Sequence, residues 1–325
     1  MDSNHIGAVV IGRNEGQRLI SCLESLLNCI EYIVYVDSGS LDNSLQEAEK
    51  RGVKCVSLDM SEAFTAARAR NEGAECLLKE YPKIDYIQFV DGDCELQPNW
   101  IDLAQSFLGG NRQFAVVCGR RRERYPGNSI YNQFCDIEWD TPIGDALACG
   151  GDALIRVDAF REVGGYRTDL IAGEEPEMCF RMRHKGWKIW RLDAEMTLHD
   201  AAMTKVSQWW KRTVRAGYAF ALGSSIHGNS EERYWVKENQ RIMWWGILLP
   251  FSILVLSIFN PIFLGLIFLY IVQIIRVSNK KSDIGNIKFL WAANVVLGKI
   301  PEAIGLMKHV KDRFSKTSAQ IIEYK

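Results

Sequence analysis

Four short apolar segments alternate with stretches of helical periodicity in the first third of the chain, and this alternation constrains the fold more than any other sequence feature. The apolar segments are rich in β-branched and aromatic residues; they are residues 7–12, 32–36, 53–58 and 86–90. Apolar runs of this length are typical of buried parallel strands. The stretches between them predict helices with one apolar face. We therefore predict an α/β fold with an open, mostly parallel sheet and helices on both faces.

Polar clusters follow three of the four predicted strands. They are Arg13-Asn14-Glu15, Asp37-Ser38-Gly39-Ser40 and Asp91-Gly92-Asp93. The carboxyl ends of parallel strands meet at one edge of such a sheet, and ligands bind there. The sequence has no G-x-G-x-x-G motif after the first strand and no G-x-x-x-x-G-K-[ST] motif. This argues against hydride transfer with a dinucleotide and against a P-loop ATPase.

Asp91 and Asp93 stand two residues apart at the end of the fourth strand. Alternate side chains of a strand point to the same side, so both carboxylates can face one cation. Oxygen ligands of this kind suit Mg²⁺ or Mn²⁺. Taken alone, Asp-Gly-Asp is more typical of a solvated turn. Its place at a strand end, with Asp37 at the end of another strand, favours a cation site.

Six motifs occur in an order that resembles a family 2 glycosyltransferase with the GT-A fold. They are residues 9–15, 36–42, 67–73, 89–93, 150–156 and 173–181. The resemblance covers roughly residues 7–217. Two positions depart from the family's pattern: Gly12 stands where proline is frequent, and Glu174-Glu175 stand where Glu-Asp is favoured.

The resemblance implies a nucleotide-sugar site, with residues that line the donor pocket: Arg13, Glu15, Asp37, Arg70, Asn71 and Asp91. Asp37 would accept a hydrogen bond from the base, and Asp91 would lie beside the ribose and the metal. Asp93 would ligate Mg²⁺ or Mn²⁺ directly. His199 follows a predicted strand and precedes Asp200, which could orient its ring. We expect His199 to be either a third metal or diphosphate ligand or simply a packed or surface residue.

Sugar transfer with inversion needs a base that takes the proton from the acceptor hydroxyl. It also needs a group that neutralises the leaving nucleoside diphosphate, which a divalent ion can do. The resemblance implies Glu175 as the base, with Glu174 as the alternative. The other interpretation of this segment is an acidic helix start stabilised by the helix dipole.

Residues 208–212 resemble, imperfectly, the Q-x-x-R-W motif of processive family members. We assign Trp209, Trp210 and Arg212 to the acceptor side, and the altered order of the last residues favours a single transfer. An amphipathic helix whose tryptophans pack or lie at a membrane interface is the equal alternative.

Residues 243–275 carry no charged side chain. As one helix they would measure about 50 Å, against about 30 Å for a bilayer core. Asn260-Pro261 divides the run into halves that each look short for a span, and proline breaks a helix. Lysines and arginines flank both sides, so we predict a membrane hairpin with both ends in the cytoplasm. One kinked span and a buried soluble helical pair are the alternatives.

The net charge, the cysteines and the first residues of the chain argue against several other kinds of protein or site. A formal net charge of −1 argues against a nucleic-acid partner. The nine cysteines form no C-x-x-C pair, so we expect reduced, mostly buried thiols rather than disulfides or a zinc site. Residues 1–6 lack the basic and apolar regions of a signal peptide, which predicts a cytoplasmic N-terminal part.

Together these observations predict three regions: a GT-A catalytic domain over 1–240, a membrane hairpin or span over 241–278, and an interfacial, basic tail over 279–325 suited to lipid headgroups. We expect an inverting glycosyltransferase on the cytoplasmic side of the inner membrane. Its donor would be a UDP-sugar and its acceptor a lipid-linked saccharide of exopolysaccharide or cell-envelope synthesis. The alternatives are transfer to polyprenyl phosphate, a nucleotidyltransferase, and a non-catalytic nucleotide-sugar-binding membrane protein.

Overall fold

The computed structural model describes residues 5–315 of the chain. These residues form two compact units. The first takes in the described part of Met1–Asp169 together with Glu174–Ala202, and the second takes in Leu170–Gly173 together with the described part of Met203–Lys325. Residues 203–240, which the sequence analysis placed with the catalytic domain, therefore group with the C-terminal helices. The last ten residues of the predicted basic tail lie outside the described residues.

A mixed sheet forms the centre of the first unit. Within the described residues its strands, β1 to β9 in chain order, are Ile6–Gly12, Tyr32–Asp37, Lys54–Ser57, Tyr86–Asp91, Cys94–Leu96, Phe114–Glu123, Gly144–Asp145, Ala153–Arg156 and Lys188–His199. The spatial order is β3-β2-β1-β4-β8-β6-β9-β5, with β7 paired to β9. The four predicted strands are β1 to β4, and they pair in parallel. Beyond β4, antiparallel β8 makes the sheet mixed.

Helices cover this sheet, as predicted. Those of the first unit, α1 to α7, are Gln17–Leu27, Ser44–Lys50, Ala66–Glu80, Trp100–Gly110, Ile130–Trp139, Val157–Glu162 and Glu174–His184. A short 3₁₀ turn spans Pro126–Asn128. The helix α1 buries Leu19, Leu23 and Leu26, which recur at helical spacing. The fold class predicted from the sequence is confirmed.

The helix α3 packs very close to the sheet because its contact face is made of small residues, Ala67, Gly73 and Ala74 among them. A Cβ atom at Gly73 would collide with Val9 Cγ1 and lie 2.8 Å from Val36 Cγ2. This close approach brings Arg70, on the same helix, to the carboxyl ends of the strands.

The second unit is helical. Its α-helices, α8 to α13, are Val206–His227, Val236–Ile242, Leu249–Phe259, Phe268–Ser278, Lys288–Leu297 and Lys299–Ser315. A π-helical segment, Met243–Leu248, joins α9 to α10, and the 3₁₀ segments Pro261–Ile267 and Ser282–Ile287 precede α11 and α12. The helices α8 and α13 touch through small residues: a Cβ at Gly217 would collide with the Glu302 backbone, and one at Gly305 with that of Val214.

Three helices in the described residues are long and apolar enough to cross a membrane: Val236–Phe259, Pro261–Ser278 and Asp283–Ser315. They contain 24, 18 and 33 residues. The first helix is longer than the apolar segment 243–259 that it contains, because it begins at Val236, with the polar residues of α9. At about 1.5 Å per residue the first two measure about 36 and 27 Å, close to the thickness of a bilayer core.

The first two of these helices separate at Asn260, whose backbone is extended and whose side chain accepts a hydrogen bond from the Ile262 amide. Beyond this break the chain folds back, and Tyr270 Oη donates a hydrogen bond to the Trp245 carbonyl at 2.5 Å. Apolar side chains face outward along this pair; Ile258 is 76% exposed and Phe259 81%. A contiguous apolar surface of this kind needs a lipid or protein environment.

The packing of α3 predicts the effect of one added methyl group. Gly73→Ala should lower the free energy of unfolding by about 1–3 kcal/mol, because the sheet beneath it has no room for a Cβ atom. The control is Gly109→Ala in α4, where a Cβ meets no atom within 4 Å. There the substitution should leave stability unchanged or raise it. Thermal unfolding of the detergent-solubilised protein measures both, and equal melting temperatures would contradict the close packing.

The apolar helices predict stable membrane association. The protein should sediment with membranes and remain there after a high-salt wash, because salt screens charge and leaves apolar burial intact. Detergent should release it, and release by salt alone would contradict insertion. A reporter fused after Lys325 should read as cytoplasmic if the hairpin is correct. A periplasmic reading would instead indicate an odd number of crossings.

Candidate active site

The carboxyl ends of β1, β2 and β4 lie side by side. In the strand register Gly12 pairs with Asp37 on β2, and Ile11 pairs with Asp91 on β4. Because these are neighbouring parallel strands of one sheet, their following loops leave from the same edge. The structure therefore brings together the strand-end clusters that the sequence analysis singled out.

Asp37 is almost fully buried and is held by three donors. Its Oδ2 accepts the amide protons of Gly39 and Ser40 at 3.1 and 2.9 Å, and its Oδ1 accepts the hydroxyl of Tyr35 at 3.0 Å. Gly39 has a φ of 78°, which allows the chain to turn back over the carboxylate. Burial, with the neighbouring Asp37 charge, raises the pKa of Tyr35, so the phenol stays a donor. The Asp37 carboxylate is thus fixed in position at the strand end.

The loop after β1 carries the other two predicted residues of this region. The guanidinium of Arg13 stacks 4.4 Å from the centre of the Phe64 ring. Glu15 forms an ion pair of 2.7 Å with Arg18 on α1. Phe64 and Arg18 therefore help to fix the positions of these two side chains.

Arg70 links two parts of the site that lie far apart in sequence. Its buried guanidinium donates to Asp91 Oδ1 at 2.7 Å and to Glu174 Oε1 at 2.8 Å. Burial alone would lower the pKa of Arg70, but these carboxylates outweigh it and hold the pKa above its usual value. Asn71, the next residue, exchanges two hydrogen bonds with the backbone of Tyr166. The side-chain amide of Asn71 is thus hydrogen-bonded within the chain, and its place near the nucleotide stays a prediction.

Asp152, which the sequence analysis did not single out, anchors the same network. It is fully buried and accepts the Asp91 amide at 3.0 Å, the Thr197 hydroxyl at 2.8 Å and an Arg121 guanidinium nitrogen at 2.7 Å. Burial alone would raise the pKa of Asp91, but Arg70 and Arg121 outweigh it and hold that pKa below its usual value. Gly151 packs so closely that a Cβ there would lie 2.7 Å from Asp91 Oδ2. Asp152 belongs to the motif at residues 150–156, and this motif is the sequence feature that could have identified it.

Asp93 and His199 meet because β5 pairs antiparallel with β9, with Cys94 opposite His199. His199 Nε2 lies 3.2 Å from Asp93 Oδ2, and both side chains are buried. Among the described residues, His199 Nδ1 is buried without a hydrogen-bond partner. The Asp93 carboxylate is a ligand of the kind that suits Mg²⁺ or Mn²⁺, and the same cluster contains His199 and the Cys94 thiol. Asp91 groups instead with Cys94 and Asp152, so the two aspartates of the Asp-Gly-Asp motif do not share one cluster.

The two predicted base candidates have different surroundings. α7 begins at Glu174, and its first turn carries three glutamates, an arrangement that the helix dipole favours. Glu174 is committed to the ion pair with Arg70. Glu175 is buried, and its Oε1 accepts the Cys149 amide at 2.6 Å and the thiols of Cys149 and Cys179 at 3.0 Å each. The sequence spacing gave no sign of these two thiols.

Trp209, Trp210 and Arg212 lie on α8, in the second unit. The two tryptophan rings make an edge-to-face contact with centroids 6.2 Å apart, and Trp210 is exposed. Their assignment to the acceptor side stays a prediction.

Known proteins resemble this chain in sequence and in fold. Residues 8–164 match the family model described as Glycosyl transferase family 2. A segment of 69 residues is 29% identical to "Succinoglycan biosynthesis protein ExoA" of Rhizobium meliloti (strain 1021). That match covers 21% of this chain and 21% of the relative, so it compares only a part of each protein.

Two solved structures resemble the chain over most of its length. One is a mannosyltransferase, PcManGT from Pyrobaculum calidifontis, with a TM-score of 0.62, 11% identity, and coverage of 95% of this chain and 88% of that one. Another is glucosyl-3-phosphoglycerate synthase from Mycobacterium tuberculosis, with a TM-score of 0.50, 14% identity, and coverage of 68% and 79%. At these identities the likeness establishes the fold. The family match shows a glycosyltransferase family 2 domain over residues 8–164, and the structural likeness shows that this domain has a GT-A fold.

Proposed function

We propose that this protein is an inverting hexosyltransferase that moves a sugar from a UDP-sugar to a lipid-linked saccharide on the cytoplasmic side of the inner membrane. The observation that carries the proposal is the Arg70 bridge. One buried guanidinium joins Asp91, at the strand end of the donor side, to Glu174, the neighbour of the candidate base. Donor-side and base-side groups thus belong to one fixed network, as a transfer reaction requires.

The donor side is assigned to Asp37, Arg13 and Glu15, at the ends of β1 and β2, with Asp91 beside them. The fixed Asp37 carboxylate suits recognition of a nucleobase N–H. The resembling mannosyltransferase was solved with GDP-Man and Mn²⁺, and the resembling synthase was also solved with UDP-Glc and Mn²⁺. These neighbours support a nucleotide-sugar donor. A panel of UDP- and GDP-sugars, scored by nucleoside diphosphate release, identifies the nucleobase and the sugar of the donor.

Asp93 and His199 are the residues that would hold Mg²⁺ or Mn²⁺. A divalent ion there would neutralise the charge that develops on the leaving diphosphate. Asp91 is already paired with Arg70 and Arg121, so we assign it to the donor rather than to the metal.

The base is assigned to Glu175 on the positions of its two oxygens. Among the described residues, all its hydrogen bonds fall on Oε1, which leaves Oε2 to accept a proton from an acceptor hydroxyl. Protonation of Glu174 would instead break its ion pair with Arg70. Glu174 remains the alternative if the substrate displaces Arg70.

The acceptor is assigned from the second unit and from the relative. Three helices suited to a bilayer would keep the catalytic unit near a lipid-linked acceptor. The partial match to a succinoglycan biosynthesis protein supports a place in exopolysaccharide synthesis. Transfer to polyprenyl phosphate is the alternative. The two are distinguished by offering a lipid-linked saccharide or polyprenyl phosphate in detergent, with the same sugar donor, and measuring which of them accepts the sugar.

Asp93→Asn should lower activity by orders of magnitude, because it keeps the size of the side chain and removes the charge that would hold the cation. Binding of Mn²⁺, followed by electron paramagnetic resonance, should weaken in parallel. The control is Asp102→Asn at an exposed position of α4, which should change neither quantity. Full activity of the Asp93→Asn variant after treatment with a chelator would contradict the metal assignment.

Glu175→Gln should abolish transfer and leave donor binding nearly intact, since general-base catalysis is typically worth about 10²–10⁴-fold. Glu174→Gln removes one partner of Arg70 and should disturb donor binding as well as turnover. Comparing kcat with the dissociation constant of the donor separates the two effects. A larger loss of kcat in Glu174→Gln, with donor binding preserved, would move the base to Glu174.

A further inference from the structure

Cys149 and Cys179 stand 30 residues apart in sequence, yet their sulfur atoms lie 3.7 Å from each other. Cys149 is half-buried in the loop before β8, and Cys179 is buried on α7. Glu175 precedes Cys179 by one helical turn, so both side chains lie on the same face of that helix. Each sulfur is 3.0 Å from Glu175 Oε1. Two thiols and one carboxylate oxygen thus form a compact triangle.

The dimensions of this triangle fit a tetrahedral cation that favours sulfur. With zinc–sulfur bonds of about 2.3 Å, two ligands of a tetrahedral Zn²⁺ lie about 3.8 Å apart, which is the separation seen here within about 0.1 Å. With a zinc–oxygen bond of about 2.1 Å, the sulfur–oxygen edges would be about 3.6 Å, so the carboxylate needs to recede by about 0.6 Å. Three protein ligands leave a fourth position open.

We infer that Cys149, Cys179 and Glu175 form a site for Zn²⁺, distinct from the Asp93–His199 pair that would hold Mg²⁺ or Mn²⁺. Thiolates select zinc over these two ions, whereas the Asp93–His199 pair has the harder donors. Binding replaces the two S–H···O hydrogen bonds with S–Zn and O–Zn bonds and releases the two thiol protons to solvent. If Glu175 is the base, as proposed above, zinc at this site inhibits transfer.

The test uses the full-length protein in detergent, stripped of metal and kept reduced with a phosphine. Co²⁺ is the probe, because thiolate ligands give it a charge-transfer absorption band in the near ultraviolet. We expect this band on titration with Co²⁺ and its loss when Zn²⁺ is added. Cys149→Ser and Cys179→Ser should each weaken the band and lower zinc affinity by at least about tenfold, as expected when a ligand is lost.

Two further cysteines serve as controls. Cys55 lies on β3 and belongs to none of the candidate metal clusters among the described residues, so Cys55→Ser should keep the band in full. Cys94 lies in the cluster with Asp93 and His199, so it is the thiol through which the other metal site could give the same signal. A band that is lost in Cys94→Ser and retained in Cys149→Ser overturns the proposal, as does the absence of any thiolate band. Serine is nearly the size of cysteine, and thermal unfolding verifies that each variant is folded.

Inhibition is measured separately, with saturating Mg²⁺ or Mn²⁺ present. Zinc should inhibit transfer by the unmodified chain, and the inhibitory concentration should rise at least about tenfold in Cys149→Ser. Equal inhibition of both proteins overturns the regulatory part of the proposal. The optical titration needs no turnover, so it distinguishes failure of the zinc site from failure of the proposed transferase function.

Discussion

The buried guanidinium of Arg70 is the interaction on which the site depends. It pairs with Asp91 at the end of β4 and with Glu174 at the start of α7. Removing one member of a buried ion pair costs about 3–5 kcal/mol, because the remaining charge is left without compensation. The attraction between the buried charges is largely offset by the cost of removing them from water, so the network contributes little net stability. What it contributes is the fixed position of its members. It holds α3, the strand ends and the first turn of α7 in one arrangement.

The same logic extends across the sheet through Arg121 and Asp152. Asp152 accepts hydrogen bonds from the Asp91 backbone and from Thr197 on β9, so it ties the parallel half of the sheet to the strand that carries His199. Small residues make this possible. Because Gly151 has no Cβ atom, the Asp91 carboxylate can lie close to its backbone, and because Gly73 has none, the strands can pack close beneath α3. Close backbone packing and the charge network therefore depend on each other.

Glu175 receives a different kind of support. Its neighbours are thiols, which burial keeps protonated: it raises the pKa of Cys179 to about 11 and that of Cys149 well above its usual range. Protonated thiols donate weak hydrogen bonds, so they orient the carboxylate without neutralising it. This environment differs from that of Glu174, which faces a full positive charge. Two adjacent glutamates of one helix turn thereby become chemically distinct.

The sequence by itself determined the α/β class, the four parallel strands and the strand-end positions of Asp37 and Asp91, because apolar periodicity and strand order are local properties. It also determined the break at Asn260-Pro261, since proline cannot continue the helix. Only the tertiary structure decided which partners the site residues have. The pairing of β5 with β9 placed His199 beside Asp93, and the docking of α7 brought Cys179 to Cys149. Such contacts join residues dozens of positions apart, and no local pattern encodes them because they arise only when the sheet and helices pack together.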